Sequence, residues 1–221
     1  MINNLSLITG ERLWASLTIL GDPVIVLCLV LSTYALIPQV TLAILPALVI
    51  GGSTVMSLKW LLAVVRPPGV LQDIIIIGQP PVSGAFPSGH STGAFALATL
   101  LILLTPGKHL KFMMFSLASI VAVSRVVVGA HWPLDVSGGI VLGWVSAILG
   151  LHISKSWKQT PGKTRAINLL LLVFSVYLFF RNTGYTQAQV LQFAIAISGT
   201  VIAFISLTVL LTTPQTKNKE N

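Results

Sequence analysis

Charge is what this sequence has least of. Asp, Glu, Lys and Arg make up 8% of its 221 residues, only five of them acidic, while 54% are hydrophobic. Soluble domains carry about a quarter charged residues, and every ionised side chain placed in a bilayer costs several kcal/mol. A chain so depleted is therefore not a soluble domain but an integral membrane protein. Cysteine is nearly absent as well. Cys28 is alone, which excludes an intrachain disulfide, and its place in an apolar run makes it a packing residue. No basic leader precedes an apolar core, because the early charges are Glu11 and Arg12, so a cleaved signal peptide is not expected. Repeats, low-complexity tracts and linkers are also missing. Residues 1–221 read as a single domain, ending in a polar tail from about Thr212. The formal net charge of +8 has no basic patch behind it. Its lysines and arginines are spread through short loops between apolar runs, which argues against nucleic acid as a partner and is the distribution that orients helices in a bilayer.

What the chain does contain is a succession of apolar runs, at about 22–37, 39–60, 88–105, 110–129, 133–152, 167–181 and 189–211, several of them short for a span of ~20 residues. They predict an all-α polytopic membrane helix bundle of five to seven spans. Residues 4–20 bring Leu13, Trp14 and Leu17 together at helical spacing around Glu11 and Arg12, as an interfacial amphipathic helix lying on the bilayer would. Pro38, the Thr105-Pro106-Gly107-Lys108 stretch and the segment 129–133 supply turns. Alternate loops put Lys108, Lys111, Lys155, Lys158, Lys163, Arg165, Lys217 and Lys219 on one side and Arg12, Lys59, Arg66, Arg125 and Arg181 on the other. The richer side should be cytoplasmic and the poorer one outward.

Three clusters fall on the outward side. In Lys59-Trp-Leu-Leu-Ala-Val-Val-Arg66-Pro67 the two cations are seven residues apart. That is two helical turns, or ~10 Å along one face, so both could reach one anion; a snorkelling lysine with a flanking arginine is the plainer alternative. Pro87-Ser88-Gly89-His90 opens an apolar run. Proline, a capping serine and a glycine suit a helix N-terminus whose free N–H groups attract an oxyanion, although a plain capped helix with an incidental histidine has the same pattern. In the third cluster Ser124 and Arg125 end one span, and His131 sits at the mouth of the next with Asp135 four residues on. A carboxylate on one imidazole nitrogen would free the other for attack, while a structural Arg–Asp pair is the alternative.

Independent snorkelling residues have no reason to gather on one side of the topology. Three cations and a helix N-terminus together make a phosphate cradle, since a phosphoryl group in transfer spreads negative charge over its equatorial oxygens. His131 backed by Asp135 then suits the nucleophile. His90 suits the acid that protonates the departing oxygen and later the base that activates water.

With these residues the sequence resembles the type 2 phosphatidic acid phosphatase superfamily, whose three-part signature K-x6-R-P, P-S-G-H and S-R-x5-H-x3-D is present without departure over residues 59–135, about a third of the chain. The resemblance implies a six-helix membrane core, a site at the outer leaflet, no metal or other cofactor, and a phosphohistidine on His131. It implies His90 as general acid, and Lys59, Arg66, Ser88, Gly89 and Arg125 as phosphate contacts. The expected substrates are lipid phosphates or pyrophosphates such as undecaprenyl pyrophosphate, phosphatidylglycerophosphate, phosphatidic acid or lipid A. The expected location is the bacterial inner membrane, with the site on the periplasmic or extracellular side. Its partners would be membrane lipids. The soluble acid phosphatases and vanadate-dependent haloperoxidases of the superfamily fit the composition poorly. Transfer to a lipid acceptor through the same intermediate, or a lipid-binding protein without catalysis, are the competing readings.

Outside the signature, His109 and His152 lie toward the inward side and are not expected in a site. Trp60 and Trp132 suit an outer interfacial belt and Trp157 an inner one, and Gly139 and Gly143 suit close helix packing. The four isoleucines of 74–77 either dip into the leaflet to line a lipid's approach or pack over the helix ends.

Overall fold

In the computed structural model, which describes residues 2–212, local sequence signals set where each helix starts. After a short 3-10 turn at Ile2–Asn4 come α1 (Leu5–Thr9) and α2 (Glu11–Ile19). Then α3 (Pro23–Ser32) begins at an Asp22 cap, whose carboxylate accepts from the Val24 and Ile25 N–H groups with proline in the first turn. Helix α4 (Pro38–Leu62) also starts on proline and ends at Ala63, which takes a left-handed conformation. Ser88 caps α5 (Gly89–Leu104), whose Ser91 N–H it accepts. There follow α6 (Lys108–Val127), α7 (Pro133–Ser154), α8 (Pro161–Phe180) and α9 (Gln189–Thr212). No strand occurs among the described residues.

Five helical stretches are long and apolar enough to cross a membrane: Pro38–Gly69, Lys108–Val127, Pro133–Ser154, Pro161–Phe180 and Thr186–Thr212. Helix α5 has 16 residues, ~24 Å at 1.5 Å per residue, somewhat less than the ~30 Å hydrocarbon core. With it, α4 to α9 form the expected six-helix core. No single helix covers 22–37, and a seventh crossing would require α2 and α3 together as one bent span. Helix α3 has only 10 residues and meets α2 at a 66° bend. Hydropathy continued past the turn at Thr33–Leu36 and concealed its end.

The N-terminal amphipathic segment also differs from expectation. It breaks at Gly10, and α2 buries Trp14, Ala15, Thr18 and Ile19 and packs against α6. Helix α1 leaves Leu7 and Ile8 exposed, and α2 leaves Leu13 exposed. The polar tail beyond Thr212, with Lys217 and Lys219, lies outside the described residues.

Helix α7 is the centre of the bundle, packed on both α5 and α4, while α8 and α9 form a hairpin that α3 joins. Closeness at α7 depends on glycine. A Cβ on Gly139 would stand 2.5 Å from the Ser88 carbonyl oxygen, and one on Gly143 2.6 Å from that of Thr92. The G-x-x-x-G spacing is thus a helix-packing device, and it presses the first turns of α5 onto α7. The alternating direction of the helices brings the C-terminal ends of α4 and α6 to the same end of the bundle as the N-terminal ends of α5 and α7.

Candidate active site

That shared end gathers the signature. His131 follows the turn after α6, and its backbone N–H bonds the Arg125 carbonyl at 3.2 Å. Its Nδ1 lies 3.3 Å from Asp135 Oδ2, one helical turn on, and both side chains are buried. Asp135 is fixed in turn by the Trp132 N–H, which donates to the same oxygen at 2.8 Å. A carboxylate can only accept, so the proton belongs on Nδ1 and the lone pair on Nε2. Arg66 Nη1, which can only donate, stands 3.3 Å from Nε2 and agrees with that tautomer. Burial first, then the charges of Arg125, Arg66 and Lys59, push the His131 pKa well below the ordinary 6.5. The ring therefore stays neutral at physiological pH, with the Nε2 lone pair turned to the Arg66 guanidinium.

Lys59 and Arg66 do not share a helical face as their spacing implied. Helix α4 stops at Leu62, the chain reverses through Ala63, and Arg66 is extended. The reversal folds both cations onto one carbonyl. Lys59 Nζ and Arg66 Nη2 donate to Gly84 O, the latter at 3.1 Å. Arg66 also holds Ser83 O and Ala130 O, at 3.1 and 3.2 Å. Ser88 joins α5 to α7 by donating its N–H to the Asp135 carbonyl at 2.9 Å.

Lys59, Arg66, Gly89, His90, Arg125 and His131 line one cavity of about 360 Å³, with Ser88 and Asp135 buried behind them. Away from the cations the cavity continues along α4 and α5 past Leu48, Gly51, Gly52, Val55, Met56 and Ala96, so one end is cationic and the other apolar. No group of three or more His, Cys, Asp or Glu residues able to hold a metal ion lies together among the described residues. His109 and His152 are exposed and do not line this cavity. The isoleucines of 74–77 do not line it either. Ile77 is buried, its N–H on the Val128 carbonyl, and Ile75 is tied on both backbone groups to the Asn3 side chain. They pack over the end of α6, and the next residues, Gln79, Pro80 and Pro81, reach the cavity instead.

Four contributors escaped the sequence reading. Arg125 is held by the Thr18 hydroxyl and by the Tyr185 hydroxyl, which accepts from Nη1 at 2.7 Å, while its buried Nε has no hydrogen-bond partner among the described residues. Asp22 and Arg181 form an ion pair in the cavity wall. For the pair a usable signal existed, a lone acid and a lone base at the ends of apolar runs on the same predicted side. For Thr18 and Tyr185 there was none.

Residues 39–159 match the PAP2 superfamily, more than half of the chain. The chain belongs to that superfamily. It is similar to the undecaprenyl-diphosphatase of Sulfolobus acidocaldarius, 39% identical over 93 residues, which are 40% of this chain and 43% of that protein. It is also similar to the lipid A 1-phosphatase of Rhizobium johnstonii, 33% identical over 94 residues, 40% of this chain and 38% of that one. The chain thus spans about two fifths of the length of these curated relatives. The crystal structure of Aquifex aeolicus LpxE superposes with a TM-score of 0.64 at 26% identity, covering 68% of this chain and 90% of that one. All eight signature-derived residues fall within the PAP2 match, whereas Thr18, Asp22, Arg181 and Tyr185 lie outside it.

Proposed function

We propose that this PAP2 protein is a membrane enzyme that hydrolyses a lipid phosphate or pyrophosphate at the outer face of a bacterial cell membrane. The observation that carries the reading is a neutral His131, its Nδ1 on Asp135 and its Nε2 presented to a cavity walled by Lys59, Arg66 and Arg125. Nε2 attacks phosphorus as the bond to the lipid oxygen breaks. His90 gives its proton to that oxygen, leaving a phosphohistidine. Water then attacks with its proton passing to His90, the P–N bond breaks, and inorganic phosphate leaves. The arginines, Lys59 and the Gly89 N–H at the start of α5 face the charge that builds on the equatorial oxygens, and their positions are set before reaction begins. Asp135 offsets the positive charge that attack creates on the imidazole.

The apolar continuation along α4 supports a substrate whose phosphate is carried on a chain. Orientation is supported by the basic residues: at the end opposite the site stand Lys108, Lys111, Lys155, Lys158, Lys163 and Arg165, against Arg12 alone once the cavity's four cations are set aside. Phosphate release by the purified protein from a panel of lipid phosphates tests the reading, with acid quench of His90→Ala to trap a phosphorylated chain. Turnover is expected in the unmodified protein and not in His131→Ala. Equal release by both would end the proposal.

A further inference from the structure

Part of the cavity is unused by a single phosphate. Beyond His90 its wall is built by the α2–α3 corner and the segment after α8, both outside the PAP2 match. Gly21 is in backbone contact with His90: a Cβ there would come 2.9 Å from the His90 carbonyl oxygen and 3.0 Å from its Cβ. The next residue, Asp22, is spent on the α3 N-terminus and on Arg181 Nη1. Arg181 is half-buried and lines the cavity, and the other N–H groups of its guanidinium make no hydrogen bond among the described residues. Its own carbonyl is held by Gln192 Nε2 at 2.8 Å, and Tyr185, four residues on, reaches across to Arg125. Arg125 and Arg181 are therefore tied to one short segment, one on the side where His131 would attack and one beside the histidine that serves the leaving group.

We propose that Arg181, steadied by Asp22, is a second phosphate subsite that selects a lipid diphosphate over a monophosphate. This rests on the hydrolase reading above. With a diphosphate, His131 Nε2 bonds to the terminal phosphorus, the bond from that phosphorus to the bridging oxygen breaks, and His90 protonates the bridging oxygen. The leaving group is then a lipid monophosphate whose charge lies beyond His90, where the Arg181 guanidinium can take it by charge-assisted hydrogen bonds. A monoester releases a neutral alcohol at the same place and gains nothing from that cation.

Initial rates of phosphate release from farnesyl diphosphate and farnesyl phosphate in detergent micelles test the subsite. The unmodified protein should favour the diphosphate in kcat/KM. Arg181→Gln should lower the diphosphate-to-monophosphate ratio by about 10- to 100-fold, the size of a lost hydrogen bond between charged groups. Arg181→Lys should recover part of it. Asp22→Asn, which keeps the helix cap but no longer steadies Arg181, should lower the ratio by a smaller factor than Arg181→Gln. A merely structural pair would depress both substrates together in Arg181→Gln and Asp22→Asn and leave the ratio unmoved. That result, or an unmodified protein that prefers the monophosphate, overturns the subsite while the hydrolase reading stands. Failure to release phosphate from either substrate, or release undiminished in His131→Ala, removes both.

Discussion

Asp135→Asn is the substitution that most directly tests the His131 geometry. The amide has the shape of the carboxylate and its oxygen can still accept the Trp132 N–H, so the start of α7 should hold. The charge is lost, while the amide oxygen stays beside both the Trp132 N–H and His131 Nδ1, so the tautomer is kept and the variant isolates the charge. At the observed 3.3 Å, an effective dielectric of about 20 gives a carboxylate–imidazolium attraction of about 5 kcal/mol. At about 1.4 kcal/mol per factor of ten this is more than three decades, some of it opposed by Arg66 on the other face of the ring. The expected loss is on the order of 10³-fold in kcat, with KM little changed because Asp135 does not line the cavity. Steady-state phosphate release measures it, with a thermal melt to show that the variant is folded. A folded Asp135→Asn protein within ten-fold of the unmodified kcat would refute the charge-stabilising role assigned to Asp135.

The pH profile gives an independent check. Burial and three cations disfavour protonated His131, so the acid limb of kcat/KM should fall below 6.5; a limb at or above that value contradicts a cation-walled nucleophile. Gly139→Val, which forces a side chain against the Ser88 carbonyl, should lower the melting temperature and cost about 1–3 kcal/mol as overpacking does, with activity falling too, and an unchanged melt would deny the close α5–α7 contact. Tyr185→Phe removes one of the Arg125 hydrogen-bond partners and should reduce kcat/KM by about ten-fold; no change in kinetics would show that Arg125 does not need it. Gly52→Phe, at a position where a new side chain meets open space beside the apolar part of the cavity, should impair long-chain substrates more than a short soluble phosphate ester, and equal effects would rule out chain binding along α4.

Much of this architecture is written locally. Asp22-Pro23, Pro38, Ser88-Gly89 and Pro133 each announce a helix start through capping or a fixed φ, and the structure begins a helix at or beside every one. The signature residues were legible for the same reason, since His131 and Asp135 are one turn apart on a single element. Lys59 and Arg66 were placed correctly at one end of the bundle, but their geometry was not, because a left-handed Ala63 cannot be inferred from an alanine. The pairing of Asp22 with Arg181 spans 159 residues, and no periodicity encodes a partner that far away. The end of α3 was hidden because apolar residues continue through the turn that terminates it, and the burial of α2 because amphipathicity does not say whether lipid or α6 will cover the apolar face.

The glycines of α7 bear on how this protein can move. Where Gly139 and Gly143 bring two backbones into contact, no side chain is present to change rotamer, and the helices bearing His90 and Asp135 are obliged to travel as one rigid piece. Helix α3 meets α4 only sparingly, and the apolar end of the cavity runs beside that looser joint. Breathing motions that admit a membrane-embedded chain can then be confined to one side of the bundle while the reacting groups keep their spacing, so that substitutions along the α3–α4 joint should alter which lipids are accepted and substitutions along the α5–α7 joint should alter whether any reaction occurs.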